Sequence, residues 1–336
     1  MKYYGIIAAF QRGKGPRENA KRKPKERNTK MTITEAELAS LTYGCELEYE
    51  GISQERAAKV VAEVTGGTAY YEGCHLHNWV VKMPDGRKWN IVSDGSLWGT
   101  SAEVVTPIMT YADMDTLQKV VRAMRKAKAK VNSRTGLHVH VGAQGMTPTQ
   151  IKNLVKIFYK QETLILKATG TQEARISSYT RRTDHAFVDK ICAMHSPTMA
   201  KLADAYYGGC RDRNCHYSSA RYRALNLHNL WNGTKGTVEF RYHEQSLHAG
   251  VIRAAVLIDL LMVLKAKSAK AASAKNPRPY SEASAKYDFR VFLLRLGANG
   301  GLFKTMRFHL CKNLPGSAAW RDGRHDGRNA RTEANG

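Results

Sequence analysis

Apolar residues recur along this chain at two spacings, and each spacing predicts a kind of element. At three and four residues apart they mark helices. Ala57, Val60, Val61 and Val64 make one such stripe over residues 53–64, with Ser53 placed to cap its start and Gly66-Gly67 to stop it. Leu117, Val120, Val121, Met124 and Val131 make a second over 115–130. A third helix opens with Thr147 as cap, Pro148 at its first position and Gln150 at its third, runs to about Lys167, and has Gly170 beyond its end. Three more are predicted over 197–206, 249–267 and 280–296.

At two residues apart, β-branched and aromatic side chains mark strands at 41–49, 103–106, 136–141 and 237–241. Residues 77–83 and 88–92, joined at Pro84-Asp85-Gly86, read as a hairpin. Strands mix with helices, a hairpin is present, and no regular βαβ rhythm or internal repeat appears. The class this predicts is α+β with a mostly antiparallel sheet.

Alternation brings in the chemistry. Glu46 and Glu48, His138 and His140, and Glu239 and Arg241 are each two residues apart on predicted strands, so each pair shares a face. Glu103 begins another strand. A buried face cannot hold unpaired carboxylates cheaply, but a face that binds divalent cations and phosphate needs them. Glu46, Glu48, Glu103 and Glu239 supply oxygen ligands for Mg²⁺, and His138 adds a nitrogen. Arg241 and Arg223 are candidates to clamp a transferring phosphoryl group, and His140 to touch phosphate. No single pair is specific; the information lies in four such segments in one chain.

Composition adds less. Lys and Arg number 53 against 29 Asp and Glu, a net charge of +24, which points to anionic company without naming it. Residues 1–30 carry ten of those Lys and Arg against two Glu, and read as a disordered basic arm ending near residue 35. A catalytic domain is expected over 36–314 and a disordered tail over 315–336, with 265–286 an exposed connection. Six scattered cysteines in a chain of this length read as free thiols in a reducing cytoplasm. No stretch approaches the length of a membrane helix.

Together, Gly44-Cys45-Glu46-Leu47-Glu48, Asp94-Gly95-Ser96-Leu97, Glu103-Val104-Val105-Thr106-Pro107, Thr135-Gly136-Leu137-His138-Val139-His140-Val141 and Val238-Glu239-Phe240-Arg241 resemble the amidoligase family. That family belongs to the glutamine synthetase and glutamate–cysteine ligase superfamily. The resemblance covers about 41–248. It implies a curved antiparallel sheet forming a funnel-shaped site with helices behind it, and ATP-dependent joining of a carboxylate to an amine through an acyl phosphate. Carried over by position, Glu46, Glu48, Glu103, His138 and Glu239 would hold Mg²⁺ or Mn²⁺, and His140 would contact ATP phosphate. Arg223 and Arg241 would steady the γ-phosphate, and Asn226 fills a polar position beside them. Glu50, on the same strand face as Glu46, is the candidate acceptor of the amine's proton. The expected partners are a small-molecule or protein carboxylate and an amine donor, with no membrane; ring-forming relatives raise the expectation of a homo-oligomer.

Two rival readings remain. Cys74-His75-x-His77 and Cys210-x4-Cys215-His216 raise structural zinc, against which their irregular spacing counts. A non-enzymatic nucleic-acid binder would use the basic arm and the Lys119, Arg122, Arg125, Lys126, Lys128 and Lys130 side of the second helix. Its weakness is the acidic strands, which would repel phosphate.

Overall fold

The segments with two-residue alternation become strands of one sheet. The computed structural model describes residues 32–73, 78–209, 212–215, 218–232, 235–273 and 276–321. Its strands are β1 (Tyr43–Glu50), β2 (Thr68–Gly73), β3 (Asn78–Lys82), β4 (Lys88–Val92), β5 (Ser101–Val105), β6 (Gly136–Gly142), β7 (Leu225–Asn226) and β8 (Thr237–Glu244). They lie in the order β2-β3-β4-β5-β1-β6-β8-β7, and every neighbouring pair is antiparallel. The sheet is open and curved, and the fold is α+β. The helices are α1 (Glu35–Ala39), α2 (Gln54–Thr65), α3 (Met114–Lys126), α4 (Pro148–Thr169), α5 (Glu173–Ser178), α6 (His185–Ala193), α7 (Met199–Tyr207), α8 (His228–Trp231), α9 (Ala249–Ser268), α10 (Ala285–Arg295) and α11 (Lys304–Cys311). None among the described residues is long and apolar enough to cross a membrane.

One face of the sheet carries the core. Tyr43, Cys45, Leu47 and Tyr49 of β1, Leu137, Val139 and Val141 of β6, and Val238 and Phe240 of β8 are all buried there. α2 covers β2 to β5 and packs on α3, while α9 lies behind β6 between α3, α4 and α11. α9 is apolar around its whole circumference, as a helix enclosed by others must be. Its one fully buried charge, Asp259, takes hydrogen bonds from Tyr242 Oη at 2.6 Å and His243 Nε2 at 2.8 Å. Strict alternation would aim His243 to the other side of the sheet. The β6–β8 ladder slips by a residue between Leu137 and Val139, and the slip turns His243 toward α9.

The capping signals hold. Ser53 caps α2, and Thr147 and Gln150 form the reciprocal box that opens α4. Gly66 and Gly170 end those helices in the left-handed conformation at φ 68° and 75°. Several boundaries move. α3 stops at Lys126, short of the expected 130, because Lys128 turns to φ 68°. α10 begins at Ala285 instead of 280. The expected connection over 265–286 is tied down where Asn153 Oδ1 accepts from Ala272 N and Arg278 N donates to Lys160 O. The arm expected to reach residue 35 is already structured at its end: Ile33 is buried, bonds Gly297 O, and Thr34 caps α1. At the other end, the Pro315 carbonyl accepts from Lys286 N. Cys45, Cys215 and Cys311 are free thiols. Cys74, His75, His77, Cys210 and His216 of the zinc reading, residues 1–31 of the arm and 322–336 of the tail lie outside the described residues.

The hairpin is pinned to the start of α3. Asp113 takes Arg87 Nη2 at 2.8 Å and Thr110 N at 2.9 Å. Burial pushes the Asp113 carboxyl up, but the Arg87 and Thr110 bonds outweigh it and hold it below its ordinary value. Its contribution is therefore complete above the unfolded aspartate value and fades as pH falls through the lower folded one. Wild type should exceed Asp113→Asn by roughly 1 kcal/mol at pH 7, with the gap closing below about pH 4, as read by denaturant melts across pH. Asp259→Ala should cost about 2–4 kcal/mol, because it strands two buried donors; a drop in Tm of under 2 °C would contradict this.

Candidate active site

Alternation also decides what the other face carries. β1 turns Gly44, Glu46, Glu48 and Glu50 away from the core; β6 turns Gly136, His138, His140 and Gly142 the same way. Register then lines them up. Glu103 sits opposite Glu48, His138 opposite Glu46, and Glu239 lies between His140 and Asn226 on its two sides. Residues about 190 positions apart in the chain thereby form one cradle.

Glu239 is the most tightly held member. Its Oε1 receives Arg241 Nη1 in a short charge-assisted bond, and its Oε2 receives Asn226 Nδ2 at 2.7 Å and Asn229 Nδ2 at 2.9 Å. Burial would raise this carboxyl, but Arg241 and His140 hold it at about 2. Glu46 has three neighbours: His138 Nδ1 bonds its Oε2 at 3.0 Å, while His140 Nε2 and Lys235 Nζ each lie 3.0 Å from its Oε1. Burial is again overcome, by His140 first and then by His138 and Lys235, so Glu46 stays well below the usual carboxylate range.

The two imidazoles differ. His138 is used on both sides: Nδ1 donates to Glu46, and Nε2 accepts from Arg175 Nη2 at 3.2 Å. Burial and the Arg241 charge push it down to about 4, so the ring is neutral. His140 pairs only Nδ1, with Thr237 Oγ1 at 3.2 Å. Its Nε2 is buried and close to Glu46 but makes no hydrogen bond there. Ligand atoms of Glu46, His140 and Glu239 all lie within 4.8 Å of one another.

Glu48 and Glu103 extend the negative charge. Glu48 accepts from Gly136 N at 2.5 Å; burial drives its carboxyl up, Arg175 pulls it back and Asp94 adds to the rise, leaving it at about 7. Burial and the charges of Glu46, Asp94 and Glu48 push Glu103 well above its ordinary value. Protein cations answer Glu46 and Glu239 in full but this end of the cradle only in part, through Arg175 on Glu48 and Lys235 on Glu103. Beside Glu46 and His140 opens a cavity of about 600 Å³, walled by Leu41, Val105, Pro107 and Ile108, with Lys235 and Lys267 on its edge.

Of the residues singled out from sequence, Glu46, Glu48, Glu103, His138, His140, Asn226, Glu239 and Arg241 meet on this face. Glu50 shares it but is bound elsewhere, to Asn132 Nδ2 at 2.6 Å and Arg134 Nη2 at 3.3 Å. Arg223 turns to the rings of Tyr206, at 4.2 Å, and Phe187, at 5.8 Å. Sequence reading passed over Arg175, Lys235, Asn229 and Thr237. Thr237 was within reach, since it precedes Glu239 by two on the same strand. Arg175, Lys235 and Asn229 arrive from a short helix, a loop and a single turn, where no periodicity marks a facing residue.

Fold and site thus define an α+β protein with a carboxylate–imidazole cradle on the open face of an antiparallel sheet. A family model described as "Putative amidoligase enzyme" matches residues 39–262, and the chain belongs to that family. The match includes every strand and all the cradle residues. A search of curated proteins returned no match.

Gly136 makes the cradle possible. A Cβ there would collide with the Arg175 guanidinium that holds His138. Gly136→Ala should cost about 1–3 kcal/mol. Gly95→Ala, where a Cβ meets open space, should stay within about 0.5 kcal/mol. Equal effects of the two in thermal melts would contradict the close approach.

Proposed function

We propose that the protein is an ATP- and Mg²⁺-dependent ligase joining a carboxylate to an amine, with the cradle as its catalytic centre. Membership of an amidoligase family supports a ligase. The observation that carries the metal dependence is the buried, unpartnered Nε2 of His140 facing the carboxylates of Glu46 and Glu239. The donor set fits a hard divalent cation: it is oxygen-rich, with one imidazole nitrogen beside the carboxylates. Glu46, His140 and Glu239 would hold one ion; Glu48 and Glu103, short of protein cations, would serve a second. When bound, such ions neutralise the triphosphate so that a carboxylate can approach it.

The chain's own residues supply the rest. The adjoining cavity of about 600 Å³ would take the nucleoside, leaving the phosphates at the Glu46 end. Lys235, already on Glu46, and Arg241, locked against Glu239, would stabilise the charge that develops on the transferring phosphoryl group. A substrate carboxylate oxygen attacks the γ-phosphorus, the bond to the bridging oxygen breaks, and ADP leaves. The amine then attacks the acyl carbon, phosphate departs, and the amine's proton passes to a carboxylate. Glu50 is one acceptor; its bonds to Asn132 and Arg134 hold it in place on the same face. The sheet's curvature and the helices behind it support the funnel of the glutamine synthetase superfamily as the frame. The rival reading keeps a specific feature, the exposed row Lys119, Arg122, Arg125 and Lys126 on α3, but gives the buried acidic cradle no task.

The test combines turnover and metal binding. Wild type should release ADP and phosphate only with Mg²⁺, an acid and an amine all present, when screened over a panel of both. Glu46→Gln should lower that release by about 100-fold or more and weaken Mn²⁺ binding followed by EPR. ATP turnover indifferent to the amine, or full Mn²⁺ affinity in Glu46→Gln, would sink the reading.

A further inference from the structure

Away from the cradle, one surface carries charge that the fold leaves unanswered. From Thr116 to Thr135 the chain has seven cations and no carboxylate. Lys119, Arg122, Arg125 and Lys126 lie on the exposed side of α3, and Lys128 and Lys130 follow it, also exposed. Lys119, Arg122 and Lys126 succeed one another at three and four residues, so they form one line about 10 Å long on the helix. Like charges at that spacing repel each other. Among the described residues none of these six pairs with a carboxylate. α2, which packs on α3, shows the contrast: its exposed Lys59 is paired with Glu55 at 2.5 Å. A self-repelling row of this kind is suited to an anionic partner.

The row continues past the helix to an exposed ring. Lys130 N donates to Glu50 O at 2.7 Å, and Glu50 N donates to Lys130 O at 3.0 Å. Arg134 Nη2 donates to Glu50 Oε1 at 3.3 Å, and its guanidinium lies 4.6 Å from the centre of the Trp98 ring. Trp98 is 70% exposed, so Arg134 covers one face of the indole and leaves the other to solvent. Cations in a row that end at an open indole match a single strand of nucleic acid, which offers phosphates in series and bases free to stack. In a duplex the bases are already stacked on each other. An acidic peptide would answer the cations but leave the indole without a ring. We propose that this surface binds single-stranded nucleic acid, its backbone along α3, Lys128 and Lys130, and a base stacked on Trp98. The proposal asks nothing of the cradle and stands apart from the ligase reading.

The experiment uses the full chain and a fluorescein-labelled thymidine oligonucleotide, followed by anisotropy over a series of KCl concentrations. Binding is expected to weaken linearly in log–log form as salt rises. The triple variant Lys119→Gln, Arg122→Gln, Lys126→Gln should lose about tenfold or more in affinity, and its salt slope should be shallower by about 2. Trp98→Ala should lose about fivefold or more with the slope unchanged, because stacking displaces no counterions. The charge-matched control Lys190→Gln, Lys201→Gln, Lys304→Gln removes exposed cations elsewhere and should stay within about twofold of wild type. All seven positions are exposed, so each variant should keep the wild-type Tm. A loss in the control as large as in the α3 variant would mean that net charge alone binds the oligonucleotide, and would overturn the proposal. So would unchanged affinity in the α3 variant or in Trp98→Ala. Poly-L-glutamate that displaces the oligonucleotide at equal charge concentration would assign the surface to an acidic protein instead.

Discussion

A carboxylate that leaves water needs a partner, and the open face of this sheet gathers Glu46, Glu48, Glu103 and Glu239 from three strands. How each is answered organises the molecule. Glu239 is answered in full by Arg241, Asn226 and Asn229, and those bonds fasten β8 to the two-residue strand β7 and to α8. Glu46 is answered by His138, His140 and Lys235, which join β1 to β6 and to the loop before β8. Glu48 and Glu103 face each other across the ladder with far less compensation. In the ligase reading proposed above, the less compensated end of this face is where cations from outside would bind.

The same strands must hold still while the face is charged. Behind it, Asp259 in α9 takes both Tyr242 and His243 of β8, so the strand that carries Glu239 and Arg241 is tied to the central helix. The register slip in β6–β8 makes this tie possible by sending His243 to the core while Glu239 and Arg241 keep to the site. Gly136 performs a related task on the open side. Its missing side chain lets the Arg175 guanidinium reach His138, and its amide binds Glu48. Rigid support of this kind keeps charged groups near a productive geometry.

The described residues enclose two cavities of opposite lining. The larger is mostly apolar and meets the cradle at Glu46; the smaller is basic, and its Arg223 lies over the ring of Tyr206.

Much of this was legible in the chain. Capping residues placed α2 and α4 because their hydrogen bonds are local, and two-residue alternation put Glu46 with Glu48, His138 with His140, and Glu239 with Arg241, because pleating is local too. Ranges drifted at α3 and α10, where a single left-handed residue or a non-helical lead-in ends the periodicity. Short helices such as α5 and α8 were missed, since one or two turns carry too few residues to show a stripe. What no local rule could supply was which strand lies beside which. That was decided by the packed helices and the ladder register, and with it came Arg175 on His138, Lys235 on Glu46, Asn229 on Glu239, and Arg223 in a basic cavity of its own. Side-chain direction along a strand is a property of neighbouring residues; convergence of residues from distant segments exists only once the sheet is closed against its core.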